Sequence, residues 1–149
     1  MHEPLGYHGF FDIEEAKEYA RQTDKPIFID FTGINCNNCR LMEQYVLSNQ
    51  EVKDFMNEHY VFCELYCDMN DIDLPEEEWV KDGDRVIKTL GRRNLFFQRT
   101  HYNMNAQPYY VIIDTDGKQL TKENFVYNPD PAKFLDFLKE GVEGYKARR

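Results

Sequence analysis

Two short runs constrain this chain more than any others: "PIFIDF", 26–31, and "YVFCELYC", 60–67. Both are rich in β-branched and aromatic residues, and the first is apolar on both faces. A strand with two apolar faces must be covered on both sides, so it belongs at the centre of a sheet. Helical patterns lie between the two runs, and strands joined through helices pair in parallel. A third segment, "PYYVIIDTDGKQLTKENFVY", 108–127, carries Asp116-Gly117 between strand-like stretches and predicts an antiparallel hairpin. The fold class that follows is α/β: a central mixed β-sheet flanked by helices on both faces.

The helices announce themselves by their caps. Asp12 and Glu15 form a capping-box pattern before Ile13, Ala16, Tyr19 and Ala20, and the helix ends at "TDKP". A second helix runs from Cys36 to about Leu47 with Leu41, Tyr45 and Val46 on its apolar side. Ser48 and Glu51 predict the cap of a third, which carries Val52, Phe55 and Met56. The stretch 69–85 reads as an acidic loop with a short helical turn, and the following segment as a helix weakened by Gly91. Asp130 and Pro131 open a last helix whose apolar face is Phe134, Leu135, Phe137, Leu138 and Val142.

The chain of 149 residues fits one domain, 1–149, with no linker or repeat dividing it. A net charge of −9 makes nucleic acid and anionic lipid poor partners. No apolar run approaches the ~20 residues of a membrane span. The start "MHEPLGYHGFF" lacks the basic opening and apolar centre of a signal peptide, so the chain reads as a mature protein or as a domain excised from a longer one. His2, His8, His59 and His101 show no metal-ligand spacing and read as surface or packing residues. No nucleophile elbow Gly-x-Ser-x-Gly occurs.

Chemistry concentrates at "FTGINCNNCRLME", 31–43, where a strand gives way to a helix. Unpaired backbone N–H groups at a helix start favour an anion, and the Cys36 thiolate is one. A free thiol has a pKa of ~8.5, and Cys-x-x-Cys pairs fall to ~7 or below. A fall of ~1.5 units is about 2 kcal/mol, within reach of a helix end plus one hydrogen bond. Cys39 sits one turn later on the same face, close enough to resolve a mixed disulfide on Cys36. Two other readings stand beside this one. Cys36, Cys39, Cys63 and Cys67 have a zinc-like arrangement, but in an extended strand Cys63 and Cys67 are about 13 Å apart, too far to share one ion. Two buried, inert thiols are the third reading, and for Cys63 and Cys67 it is the favoured one.

"DFTGINCNNCRLME", "ELYCDMNDIDLPEE" and "NAQPYYVIIDTDGK" together resemble the thioredoxin superfamily. More narrowly they are similar to the C-terminal thioredoxin-like domain of the bacterial thiol:disulfide interchange protein DsbD, in its Bacteroidetes-type form. The resemblance covers the chain from about Tyr7 onward. It implies a thioredoxin-like fold and a thiol:disulfide oxidoreductase, most closely a protein-disulfide reductase. It implies that Cys36 is the nucleophile and Cys39 the resolving thiol. Asp30 matches the family's buried acid, its pKa raised by burial and able to exchange a proton with Cys39. Glu43 matches a second acid of the DsbD-type domain. Pro108 matches a cis-proline beside the disulfide, with the Gln107 backbone free to pair with an extended partner segment.

The resemblance further implies a monomer in the periplasm with no prosthetic group, the Cys36–Cys39 disulfide being the carrier. Electrons would come from a membrane-embedded domain and leave to other thioredoxin-like proteins and disulfide-bearing substrates. A disulfide isomerase or oxidase, and a redox-silent interaction domain, are its rivals. Three departures are visible: Glu64 stands where thioredoxin has a lysine facing the buried acid, Ile34-Asn35 replace the usual tryptophan, and the dipeptide is Asn37-Asn38. With that dipeptide, no reduction potential carries over.

Overall fold

A computed structural model describes Gly6, Tyr7 and residues 9–149; His2 and His8 lie outside the described residues. The central sheet has the strand order β1-β3-β2-β6-β7. β1 is Gly9–Phe10, β2 Ile27–Thr32, β3 Val61–Tyr66, β6 Tyr109–Ile113 and β7 Phe125–Val126. As the sequence predicts, β2 and β3 are parallel, with Asp30 opposite Glu64. β6 runs antiparallel to β2, with Tyr110 opposite Asp30. The hairpin forms, but its return strand β7 is only two residues long, paired with Tyr109 and Tyr110.

Alternation along the strands divides the interior in two. Ile27, Ile29, Phe31, Cys63, Leu65 and Cys67 meet Ala16 and Ala20 of α1 (Ile13–Thr23) on one side. Phe28, Phe62, Tyr110 and Ile112 meet Met42, Val46, Met56 and Phe134 on the other. This second side is covered by α2 (Asn37–Met42), α3 (Gln50–His59) and α5 (Pro131–Ala147). Every apolar residue predicted for the last helix is buried, and the Asp130 carboxylate accepts from the N–H groups of Ala132 and Lys133.

Several sequence expectations need correction. α2 continues as one wide π turn, Glu43–Leu47, which turns Met42, Val46 and Leu47 inward and leaves Tyr45 exposed. The cap of α3 is Asn49, whose side chain accepts from Val52 N at 3.1 Å. Ser48 instead donates back to the Gln44 carbonyl, because the widened turn carries it into the end of the preceding helix. The acidic stretch contains the expected short turn, Glu76–Glu78, but also a hairpin of β4 (Val80–Asp82) and β5 (Arg85–Ile87). α4 (Leu90–Tyr102) starts at the Thr89 cap. Gly91 is no weakness there, since a Cβ would stand 2.7 Å from the Met69 backbone N; the glycine lets the helix approach that loop. Among the described residues, no helix is long and apolar enough to cross a membrane.

Candidate functional site

β2 ends at Thr32, and after four intervening residues the chain enters α2 at Asn37. Gly33 permits the turn: a Cβ there would lie 3.0 Å from Asp68 Oδ2 and 3.4 Å from the Cβ of Cys36. The Asp68 carboxylate, just beyond β3, holds the loop by accepting from the backbone N–H of Ile34 at 2.9 Å and of Asn35 at 3.0 Å.

Cys36 is the N-cap of α2, with extended backbone, and its Sγ accepts from the Cys39 N–H at 3.2 Å. A sulfur in this position takes one of the donors a helix start leaves unused. Cys36 and Cys39 are joined by a disulfide with their Cα atoms 5.2 Å apart. Cys36 is half-buried while Cys39 is buried, so one sulfur of the bond faces outward and the other inward.

The next residue, Arg40, ties this corner together. Its guanidinium donates to the carbonyls of Ile34 at 3.1 Å and Gly33 at 3.0 Å, and forms an ion pair with Glu43 at 2.9 Å. On the α2 side of the sheet Asp30 and Glu64 are both buried, and the Tyr66 hydroxyl donates to Glu64 Oε2 at 3.1 Å. Burial first, then the carboxylates of Glu64 and Glu43, push Asp30 well above the usual carboxylate range, against an opposing pull from Arg40. Burial likewise raises Glu64 to about 7; the Tyr66 hydrogen bond opposes the rise, Glu43 adds to it and Arg40 opposes it. The structure therefore gathers Asp30, Glu43, Glu64 and the cysteine-bearing helix in one corner and adds Arg40 to it.

The Gln107–Pro108 peptide is cis, and Pro108 is buried directly before Tyr109, which pairs with Phe31 of β2. The loop is fixed from α4 by Gln98, which is fully buried. Gln98 Nε2 donates to the Ala106 carbonyl at 2.8 Å, and Gln98 Oε1 accepts from Gln107 Nε2 at 2.9 Å. One turn earlier, Asn94 donates to the Tyr66 carbonyl at 2.9 Å.

Cys63 and Cys67 are free and buried in the core on the α1 side. Burial raises both thiols, Cys67 to about 12, so neither is a thiolate at neutral pH. The rings of His59 and His101 lie against Phe55 and Phe97 at 4.3 and 4.4 Å.

Arg40, Asp68 and Gln98 were not singled out by the sequence. Arg40 had a signal, a cation directly after Cys39 in the first turn of a helix. Asp68 and Gln98 had none that a local reading detects, because their partners lie on other elements.

A family described as a thioredoxin-like domain matches residues 13–140. The disulfide bond reductase DsbH of Chlamydia pneumoniae is 30% identical over 112 residues, covering 74% of this chain and 59% of that protein. The thiol:disulfide interchange protein DsbD of Campylobacter jejuni is 21% identical over 132 residues, covering 89% of this chain but 19% of that protein. The chain thus spans only part of the length of each relative. Among solved structures, the oxidised C-terminal domain of DsbD from Neisseria meningitidis superposes with a TM-score of 0.59 at 18% identity, covering 90% of this chain and 99% of that one. At that identity the likeness is one of fold.

Proposed function

The chain belongs to the thioredoxin-like family, and from that premise we propose that it is a protein-disulfide reductase that carries electrons on Cys36 and Cys39. The observation that carries this reading is the half-buried Cys36 at a helix N-cap, already bonded to the buried Cys39. In the reduced protein the Cys36 thiolate attacks one sulfur of a partner disulfide. The partner's S–S bond breaks, a Cys36–partner bond forms, and the first partner thiolate takes a proton from water. Cys39 then gives its proton to Asp30 and attacks the Cys36 sulfur. The mixed disulfide breaks, the Cys36–Cys39 bond forms, and the second partner thiolate leaves. Two electrons pass to the partner.

Asp30 suits this role because a carboxyl held well above its usual range accepts a proton from a thiol more readily. Glu43 shares the corner and keeps Arg40 ion-paired. The backbone of Gln107, beside the cis bond to Pro108, receives an extended segment of the partner as an added strand. The carrier needs no prosthetic group. Its partners are other thioredoxin-like proteins and disulfide-bearing substrates, its donor a membrane-embedded domain, and its compartment the periplasm. Likeness to a disulfide bond reductase and to DsbD supports the reductive direction; an isomerase or oxidase would use the same residues with a less reducing pair.

Cys39→Ser tests the mechanism, since it leaves Cys36 able to attack but unable to be released. Disulfide-linked partners should accumulate on Cys36 and vanish in the Cys36→Ala, Cys39→Ser double variant; an unlinked Cys36 overturns the reading. Equilibration with glutathione tests direction: a potential near about −270 mV supports a reductase, and one near about −120 mV makes the protein an oxidant.

A further inference from the structure

Glu64 is a buried acid for which the exchange mechanism above has no use. It stands on β3 directly opposite Asp30 of β2 in a parallel register, so both side chains leave the same face of the sheet. Neighbouring strands are ~4.8 Å apart, and like charges carried side by side into a low-dielectric interior disfavour each other's ionisation. Asp30 is 4% exposed and Glu64 3%, so water does not separate their charges.

Five described groups lie around them. Tyr110 of β6 flanks Asp30 on its other side, opposite Glu64. Tyr66, two residues along β3, donates its hydroxyl to Glu64. Tyr7, ahead of β1, feels the Asp30 charge but spends its hydroxyl on the Leu47 carbonyl at 2.7 Å. From the active-site helix and its wide turn come Glu43, a third negative charge, and Arg40, the cation acting on both buried acids. Arg40 is ion-paired with Glu43 and hydrogen-bonded to the loop before Cys36. The Arg40 guanidinium thus acts on all three of these carboxyls.

We propose that Asp30 and Glu64 act as one diacid that keeps a single proton between them at neutral pH, and that Glu64 is the positioning residue that sets the proton affinity of Asp30 for Cys39. The proposal rests on the exchange reading above. In the resolving step the Cys39 S–H bond breaks and its proton moves to the singly protonated pair, making it neutral. The Cys39 sulfur forms the bond to Cys36, and the partner sulfur leaves with the electron pair of the broken S–S bond. The pair afterwards returns its second proton to solvent. A lone, permanently ionised Asp30 would bind that proton too weakly, and a fully protonated one could not bind it at all.

The test is a carboxyl carbon-13 titration of the oxidised protein, which needs no turnover. Asp30 and Glu64 should titrate together in two shared steps, one of them above pH 7. In Glu64→Gln, Asp30 should titrate in a single step with its proton affinity at least tenfold lower. Asp30→Asn reads the same coupling from the Glu64 side if the first variant does not fold. An Asp30 midpoint unmoved in Glu64→Gln, or a Glu64 that titrates alone near ~4.3, overturns the pair.

A second measurement addresses the role. The release of a thionitrobenzoate group linked to Cys36 reports attack by Cys39, and its pH profile should shift to lower pH in Glu64→Gln. A profile that stays in place, with the titrations coupled, overturns the role in positioning. Failure to trap partners on Cys36 in Cys39→Ser, with the titrations still coupled, removes the exchange reading alone.

Discussion

Two aspartates in this molecule expose little surface, Asp30 4% and Asp114 3%, but Asp30 lies deep in the interior and Asp114 just beneath partly exposed arginines, and the two are pushed in opposite directions. Asp114, just after β6, accepts from Arg148 at 2.7 Å and from Arg149 at 2.8 and 3.1 Å. The Arg149 hydrogen bonds hold its carboxyl below the usual range despite burial. Asp30 has Glu64 as its strand neighbour, and its Oδ1 has no hydrogen-bond partner among the described residues. Low exposure alone therefore does not decide what an acid does: deep burial and neighbouring carboxylates raise Asp30, while direct hydrogen bonds from arginine lower Asp114. Where two arginines converge on it, the acid fastens the end of α5 to the sheet. Where carboxyls meet in the interior, the proposed shared proton sits next to the disulfide-bearing helix.

The sharpest way to break this contrast is to give Asp30 a cation. Glu64→Lys should lower its midpoint by about 1–3 units, or ~1.4–4 kcal/mol of differential stabilisation, making it behave like Asp114. Carboxyl titration reads the shift; an Asp30 that stays high would make burial, not charge balance, the governing factor.

Removing the charge at the other aspartate is the next largest change. Asp114→Asn should cost about 1–3 kcal/mol at pH 7, in the lower half of that range because both arginines are partly exposed. The sign follows from a depressed carboxyl. Its stabilisation is present above the unfolded-state pKa and is lost as pH falls through the lower folded-state value. The deficit in urea unfolding should therefore shrink on acidification; a deficit independent of pH would point to packing instead.

The smallest effect is expected at Arg40. Arg40→Gln should raise both Asp30 and Glu64, since Arg40 lowers each, but by less than about one unit because the guanidinium is substantially exposed. No upward movement in either acid would mean that Arg40 serves the loop alone.

Much of the fold was legible because its signals are local. Asp12 and Asp130 cap the helices they were expected to cap, and the apolar faces of β2 and α5 repeat over enough residues to be seen. The β4–β5 hairpin went unread although Asp82-Gly83 marks its turn, with Gly83 at φ +64°, since strands of three residues give no alternation to follow. In the candidate site, the Cys36–Cys39 pair at a strand–helix junction could be read directly, whereas Asp30 and Glu43 were found through the resemblance. Asp68 meets its loop from 34 residues away, and that contact exists only once β3 lies beside β2. Gln98 was hidden for another reason. The fully buried residues of α4 are Gly91, Asn94 and Gln98, so a search for apolar periodicity finds little at the positions that face inward.

The seclusion of Cys63 and Cys67 has an arithmetic consequence. A protein with four sulfurs in reach of one another could shuffle among several pairings and hand over electrons one pair after another. With two of them locked in the far core as neutral thiols, one covalent state is available on each side of the reaction. In the proposed role every encounter therefore transfers a fixed quantum of two electrons, and the chain cannot tangle its own connectivity while doing so.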